Sequence, residues 1–201
     1  MRRALLLAFV GAVLVVAFAG VALAAVITCP ATGGPCFGTN DPDQITGSAQ
    51  ADQIEARAGD DTVNAGAGGD RLFGDQGNDT LAGQTEDDYY EGNRGNDTLT
   101  EDATSTLPAG SGNDTMFGFQ NDDILRGGVG DDVRLSGGPG RDTVTGGPGM
   151  DELAGGDGDD TIDARDTPPL RDTLVSGGTG TDTCFFDPGV DQPKNCEIQN
   201  P

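Results

Sequence analysis

The sequence GGPGRDTVT-GGPGMDELA-GGDGDDTID at residues 137–163 decides the fold, because it repeats one nine-residue pattern three times without a gap. The pattern is G-G-x-G-x-D-x-U-x, in which U is a large apolar residue. Further copies are GNRGNDTLT at 92–100 and GGTGTDTCF at 177–185, and looser copies extend back to residue 38. A fixed short period of this kind is typical of a solenoid.

Two linked residue series run through the copies. The sixth position carries Asp43, Asp52, Asp61, Asp70, Asp79, Asp88, Asp97, Asp114, Asp123, Asp132, Asp142, Asp151, Asp160, Asp172 and Asp182. The eighth position carries Ile45, Ile54, Val63, Leu72, Leu81, Tyr90, Leu99, Met116, Leu125, Val144, Leu153, Ile162 and Leu174. Chance does not produce two linked series of this length, so residues 38–186 are expected to form one repeat domain.

The register breaks in a few places, which we expect to be loops on one side of the solenoid. An insertion occupies residues 101–108, and a second interruption runs from Ala164 through the Pro168-Pro169 pair. Ser136 and Ser176 each add one residue. The copy before Ser136 has Arg134 at its eighth position, with Leu135 next.

Each nonapeptide is expected to divide into a turn and a short strand. Glycine allows positive φ without a Cβ clash, so the first half can reverse the chain tightly. The x-U-x segment is extended and directs U to one face. Two nonapeptides then make one coil of 18 residues, and stacked coils form two parallel sheets around an apolar spine. The sequence predicts an all-β, right-handed parallel β-roll of about seven coils, roughly 35 Å long at ~4.8 Å per coil.

The composition excludes several classes of function. The chain has 34 acidic and 11 basic residues, a formal net charge of −23 and no histidine. Such a charge disfavours nucleic acid and anionic membranes as partners. The missing histidine excludes a Ser-His-Asp triad and a His-based zinc site. Adjacent acids such as Asp159 and Asp160 could imitate the carboxylate pair of a glycosidase, but among 34 acidic residues such neighbours are expected by chance. We therefore predict no enzymatic activity and no small-molecule substrate.

Stacking the coils brings every second turn together and places aspartates one above another. Asp43, Asp61 and Asp79 would lie along one edge of the roll, and Asp52 and Asp70 along the other. Carboxylates held a few ångströms apart repel one another. A hard cation that accepts six to eight oxygens, such as Ca²⁺, would relieve this repulsion with carboxylates and turn carbonyls as ligands.

The repeat resembles the RTX (hemolysin-type) calcium-binding repeat family across about residues 38–186. That resemblance implies a β-roll that binds Ca²⁺ between successive turns, with position-six aspartates and turn carbonyls as ligands. The candidate ligands are Asp132, Asp142, Asp151, Asp160 and Asp182, where GGxGxD is complete, then Asp70, Asp79, Asp97 and Asp114, and also Asp61 and Asp123. Residues 47–52 and 83–88 lack the inner glycines, which puts calcium there in doubt.

The N-terminal 24 residues are typical of a secretory signal peptide. A basic start, Arg2-Arg3, precedes an apolar stretch, and Ala22-Leu23-Ala24 offers a small-residue cleavage site. The alternative is an uncleaved anchor, since the stretch is long enough to span a bilayer. We therefore predict a secreted monomer. Its affinity for calcium should suit extracellular levels, on the order of 10⁻⁴ to 10⁻³ M.

The four cysteines lie in two local pairs near the ends of the repeats. Four cysteines allow three connectivities. We favour Cys29–Cys36 and Cys184–Cys196, because an elongated fold holds its ends far apart. Residues 25–37 are then expected to form an N-terminal cap, and residues 187–201 a C-terminal cap that shields the open edge.

A calcium-stiffened surface or adhesive protein is the alternative function, and it needs no different fold. Aromatic residues at 89–90, 117, 119 and 185–186 would form its contact patch, or else fill the ends of the spine. Asp157-x-Asp159 lacks the glycine and closing glutamate of an EF-hand loop. The glycosylation sequons at Asn78, Asn96 and Asn113 follow from the repeat itself.

Overall fold

The computed structural model describes residues 24–101 and 112–200. The predicted signal peptide, except Ala24, and nearly all of the insertion lie outside these ranges. None of the residues in them forms a helix that could span a bilayer. The strands of the described part are β1 (Ala25–Thr28), β2 (Gly34–Phe37), β3 (Asp43–Thr46), β4 (Asp52–Glu55), β5 (Thr62–Ala67), β6 (Arg71–Gln76), β7 (Thr80–Thr85), β8 (Tyr89–Arg94), β9 (Thr98–Thr100), β10 (Thr115–Gln120), β11 (Ile124–Arg126), β12 (Arg134–Pro139), β13 (Thr143–Thr145), β14 (Glu152–Asp157), β15 (Thr161–Ala164), β16 (Leu174–Thr179), β17 (Thr183–Phe186) and β18 (Ile198–Asn200).

These strands form two parallel sheets, as the repeat predicted. The odd-numbered strands and β18 make a ten-stranded sheet, and the even-numbered strands from β2 to β16 make an eight-stranded sheet. Partners lie one coil apart along the chain, so that Thr62 pairs with Thr80 and Thr80 with Thr98. The 18-residue coil of two nonapeptides is therefore confirmed, and the fold is an all-β parallel solenoid.

The solenoid is longer than the predicted seven coils. Residues 25–37, expected to be a cap, form the first coil, because β1 and β2 pair with β3 and β4. The tail adds a partial coil at the other end, where Lys194 bridges to Ser176 and β18 pairs with β17. Both predicted disulfides, Cys29–Cys36 and Cys184–Cys196, are present in these end coils.

The eighth-position residues form the apolar spine between the sheets. Leu72, Leu99 and Leu153 are fully buried, and Cys184 occupies the same position in its copy. Tyr90 also lies in the spine. Its hydroxyl accepts a hydrogen bond from the Gly83 N–H at 3.0 Å and donates to the Thr100 carbonyl at 3.3 Å. The buried hydroxyl of Tyr90 therefore has hydrogen-bond partners inside the roll.

Two copies carry their extra residue elsewhere than predicted. Leu135 pairs with Met116 and Val175 pairs with Leu153, and both lie in the spine. The assignment of Leu174 to the spine was therefore wrong. The extra residue follows the aspartate directly, at Val133 and Thr173 rather than at Ser136 and Ser176. A bulge after the aspartate keeps both the aspartate and the apolar residue in register.

Replacing Leu135 with alanine should lower the free energy of unfolding by about 2–4 kcal/mol, because it opens a cavity in the spine. Val133 is 59% exposed and provides the matched control. Its replacement with alanine should change stability by no more than about 0.5 kcal/mol. Urea unfolding in calcium buffer measures both. Equal losses would show that the bulge lies elsewhere in this copy.

The insertion leaves the register intact. Asp88 bonds to Asp114 across 26 residues, eight more than the 18 that separate Asp70 from Asp88. Thr98 likewise pairs with Ile124 across the same gap. The stack of coils therefore continues past the insertion, which lengthens the step between successive coils by the expected eight residues.

Candidate metal centre

The position-six aspartates form two columns, one at each edge of the roll. Each column lies at the start of one sheet's strands, where the turn ends and the extended segment begins. Every member is nearly fully buried, with at most 6% of its surface exposed. Column A comprises Asp43, Asp61, Asp79, Asp97, Asp123, Asp142, Asp160 and Asp182, and column B comprises Asp52, Asp70, Asp88, Asp114, Asp132, Asp151 and Asp172.

A continuous hydrogen-bond ladder runs along each column. In each step, a carboxylate Oδ1 accepts the backbone N–H of the aspartate one coil earlier. Asp123 donates to Asp142 at 2.8 Å, and Asp142 donates to Asp160 at 2.8 Å. The repeat pattern does not indicate this role, which makes each aspartate a structural link between coils. The ladder gives Oδ1 of each column aspartate from Asp61 onward a hydrogen-bond partner but gives none to Oδ2.

The second carboxylate oxygen, Oδ2, has no hydrogen-bond partner along most of both columns. A buried acceptor without a partner costs about 1–3 kcal/mol, and more when it is charged. A row of such atoms therefore requires either protons or cations. The described aspartates with an unpartnered Oδ2 in these columns are Asp61, Asp70, Asp79, Asp88, Asp97, Asp114, Asp123, Asp132, Asp142, Asp151, Asp160, Asp172 and Asp182.

The first glycine of each motif makes room for this oxygen. A Cβ on Gly127 would overlap Oδ2 of Asp132, and a Cβ on Gly146 would overlap Oδ2 of Asp151. The second motif glycine has positive φ, as at Gly138 with φ 113°. The consensus glycines thus shape a turn that leaves Oδ2 buried and unbonded.

In the first repeat turn of each column, unlike the later turns, a backbone N–H donates to Oδ2 of the aspartate. The Thr39 N–H donates to Asp43 Oδ2 at 2.6 Å, and the Ser48 N–H donates to Asp52 Oδ2 at 2.7 Å. The doubt about residues 47–52 therefore has a structural basis. The turn at 83–88 differs from them, because Gln84 and Glu86 adopt positive φ in place of the glycines and Asp88 keeps an unpartnered Oδ2.

Burial makes these carboxyl groups hard to ionise without a cation. Desolvation, together with the charges of neighbouring column members, raises the pKa of most of them above the usual 3.8, although the ladder N–H groups lower it. The pKa rises to about 8 for Asp88, Asp123 and Asp132, to about 7 for Asp61, Asp79, Asp114, Asp142, Asp151 and Asp172, and to about 6 for Asp70, Asp97 and Asp160.

Besides Asp191, which ends column B by accepting the Asp172 N–H at 3.1 Å, two further acids extend the columns in ways the repeat did not indicate. Glu101 is buried beside column B, where its charge raises the pKa of Asp88 and Asp132, and its Oε2 accepts the Val129 N–H at 3.0 Å. Glu197 ends column A by accepting the Asp182 N–H at 2.8 Å. Neither lies in a recognisable copy, so no sequence signal marks them.

Position five of the repeat carries a second, exposed ladder. Asn78 Oδ1 accepts the Asn96 N–H at 2.8 Å, and Asn113 Oδ1 accepts the Asp131 N–H at 2.8 Å. These asparagines follow from the repeat, and no role was predicted for them. The frequent Asn or Asp at position five was the available signal for this ladder.

Side chains alone do not form a metal site in the described ranges. No three acidic, cysteine or histidine side chains there converge closely enough to hold an ion. Backbone carbonyls must contribute, and they lie between the coils. A Cβ on Gly158 would overlap the carbonyl oxygen of Gly140, and one on Gly180 would overlap that of Gly158.

The available donors fit a hard cation. They are carboxylate and carbonyl oxygens, the donors that Ca²⁺ takes in flexible geometry. A softer metal has little to bind, since the chain has no histidine and all four cysteines form disulfides. Every candidate ligand from the sequence lies in one of the two columns. Asp61, Asp79, Asp97, Asp123, Asp142, Asp160 and Asp182 are in column A, and Asp70, Asp114, Asp132 and Asp151 are in column B.

The fold and its two buried columns define a parallel β-roll of the kind that carries oxygen-ligand metal sites in its turns. The family model of the RTX calcium-binding nonapeptide repeat matches the chain in four copies, at residues 37–72, 65–99, 106–133 and 134–166. These matches cover more than half of the chain, which therefore belongs to the RTX calcium-binding nonapeptide repeat family. No curated protein matches the chain in a whole-sequence comparison.

Proposed function

We propose that this protein binds several Ca²⁺ ions in the turns of columns A and B, and that calcium completes the fold. The observation that supports this proposal most strongly is the row of buried Oδ2 atoms that have no hydrogen-bond partner. Bound calcium would supply positive charge to these atoms and remove the repulsion between coils. The ligands would be the eleven candidate aspartates together with turn carbonyls.

The presence or absence of an N–H donor on Oδ2 would determine which coils depend on calcium. Asp43 and Asp52 already have N–H donors on Oδ2, so these two oxygen atoms need no cation. The coils from Asp61 onward have no such donors. Calcium would thus stabilise the later coils, while the disulfide of Cys29 and Cys36 supports the first coil.

The proposed role is structural and non-catalytic, as the repeat family itself is a structural calcium-binding repeat. The proposed setting is extracellular, where free calcium is abundant and disulfides persist. The small-residue sequence Ala22-Leu23-Ala24, typical of a cleavage site, and the two disulfides support export. The mass of the exported chain tests this, since it should begin at Ala25.

Circular dichroism during a calcium titration tests the proposal, with residues 25–201 and Mg²⁺ as the control cation. We expect a cooperative gain of β signal with Ca²⁺ alone, at about 10⁻⁴ to 10⁻³ M. Mg²⁺ should have little effect, because it demands near-ideal octahedral geometry and gives up its waters reluctantly. A spectrum already folded in chelator at neutral pH, and unchanged by calcium, would overturn the proposal.

A further inference from the structure

A groove of about 660 Å³ runs along the edge of the roll that carries column A. It crosses successive turns and is lined mainly by residues at positions two and three of the repeat. Its walls are formed in part by Arg57, Asp75, Asn93, Arg94, Phe119 and Gln120. The position-six aspartates of column A do not line it, so the groove is separate from the candidate metal sites.

Four successive turns hold side chains at a position that favours glycine. Position two has positive φ, and it is glycine in later turns of the same edge, such as Gly156 with φ 130°. Left-handed backbone costs an L-residue about 1–2 kcal/mol, and it is a genuine outlier for a bulky one. The four residues and their φ values are Arg57 at 83°, Asp75 at 72°, Asn93 at 77° and Phe119 at 76°.

The other edge shows that this substitution is not a general feature of the repeat. At position two along column B, the left-handed residues described are Gly66, Gly128 and Gly147, with Gln84 as the exception. Side chains at this costly position are therefore concentrated on the edge that carries the groove. Backbone strain of this kind is commonly found where a side chain serves binding.

The groove combines an aromatic surface with fixed polar groups. Phe119 is 40% exposed, and its ring lies 5.7 Å from that of Phe117. Arg57 is held in place, because its Nη1 donates to the Gly38 carbonyl at 2.9 Å and its guanidinium lies 5.2 Å from the Phe37 ring centre. Such preorganisation lowers the entropy that binding would cost.

We infer that this groove binds a linear, neutral oligosaccharide. Sugar hydroxyls pair with planar amide, carboxylate and guanidinium groups, such as those of Asn93, Asp75 and Arg57. The C–H face of a sugar ring packs on an aromatic ring such as that of Phe119. The lining groups recur once per coil, at ~4.8 Å, which suits a polymer of regular repeat.

Other ligand classes fit the groove less well. The net charge of −23 opposes polyanions, including nucleic acids and acidic glycans. A lipid chain or an apolar peptide face would need a continuous apolar wall, and three of the four position-two side chains in the groove, Arg57, Asp75 and Asn93, are polar. The inference goes beyond calcium binding, although the groove exists only while the roll is folded.

Isothermal titration calorimetry of the purified protein in saturating calcium tests the inference. The probes are hexasaccharides of β-1,4-linked glucose, mannose and N-acetylglucosamine, with an oligogalacturonate as the acidic comparison. We expect saturable binding of at least one neutral hexasaccharide. No binding of any neutral probe to protein that circular dichroism shows to be folded overturns the inference, as does binding of the oligogalacturonate alone.

The variant Phe119→Gly separates binding from folding. It restores the consensus glycine, so it should leave the calcium-folded roll at least as stable as before. It also removes the aromatic surface, so affinity for the bound hexasaccharide should fall at least about tenfold. Gln84→Gly makes the same change at the other edge and should leave affinity unchanged. Equal affinities for both variants and the parent protein would contradict the inference.

Discussion

Acidification should replace calcium in holding the roll folded. In chelator, we expect little β signal at pH 8 and recovery of most of it near pH 5. The physical reason is the set of column carboxyls whose pKa rises to between about 6 and about 8 in the folded chain. Protonation removes their charge, so they no longer repel one another or require a cation. Circular dichroism of the metal-free protein from pH 8 down to pH 5 measures this.

The direction follows from the raised pKa values. A folded chain that holds its protons more tightly than the unfolded chain is favoured at low pH, where both are protonated. That contribution is lost as the pH rises through the folded pKa values, from about 6 for Asp97 to about 8 for Asp123. Calcium affinity should show the reverse trend, because protons compete for the same oxygens.

A control separates this effect from general charge repulsion. Adding about 1 M NaCl at pH 8 screens exposed charges but acts weakly on buried ones. Salt should therefore restore much less β signal than acid does. A metal-free chain that stays equally folded from pH 5 to pH 8 would contradict the prediction, and would mean that the spine and disulfides suffice.

Replacing Asp142 with asparagine should have opposite effects in the two metal states. Asparagine keeps an Oδ1 that can accept the Asp123 N–H, so the ladder remains. It removes one buried charge, so the metal-free fold at pH 8 should gain on the order of 1–2 kcal/mol. It also removes the charged Oδ2, so calcium should stabilise the variant less than the parent. Urea unfolding with and without calcium measures both effects.

Asp52→Asn is the matched control. Oδ2 of Asp52 already accepts the Ser48 N–H at 2.7 Å, and Oδ1 has no partner. The amide can therefore keep that hydrogen bond by placing its oxygen at the Oδ2 position, where it accepts the Ser48 N–H. We expect the stabilisation by calcium to be unchanged in this variant. Equal losses of calcium stabilisation in both variants would contradict the distinction between turns whose Oδ2 has an N–H donor and turns whose Oδ2 has none.

Much of the candidate site follows from the repeat alone. Period nine and the linked aspartate and apolar series predict the 18-residue coil, the parallel sheets and the two columns. They do so because each copy has the same local preferences, glycine for the turn and an alternating strand after it. The sequence does not show which atom of an aspartate serves which purpose. The missing inner glycines distinguish the Asp52 copy from the Asp142 copy, but only the structure shows that Asp52 has an N–H donor on Oδ2 and that Asp142 has none.

The degenerate coils were the least predictable part. Residues 25–37 and the tail lack the motif, and Glu101 and Glu197 lie outside any copy. The end segments are placed by the neighbouring coil, whose backbone N–H groups need acceptors where the repeats end. Glu197 meets the Asp182 N–H, as an aspartate would in a complete copy.

The sequence by itself determined the repeat unit, the class of fold and the identity of the candidate ligands. Those properties follow from short-range patterns that are the same in every copy. Only the tertiary structure decided which residue bulges after Asp132 and Asp172, which carboxylate oxygens lack a partner, and which edge carries the groove. The bulges, the groove and the bonds to Oδ1 depend on contacts between residues 18 or more positions apart, where burial and hydrogen bonding in the stacked coil outweigh local preference.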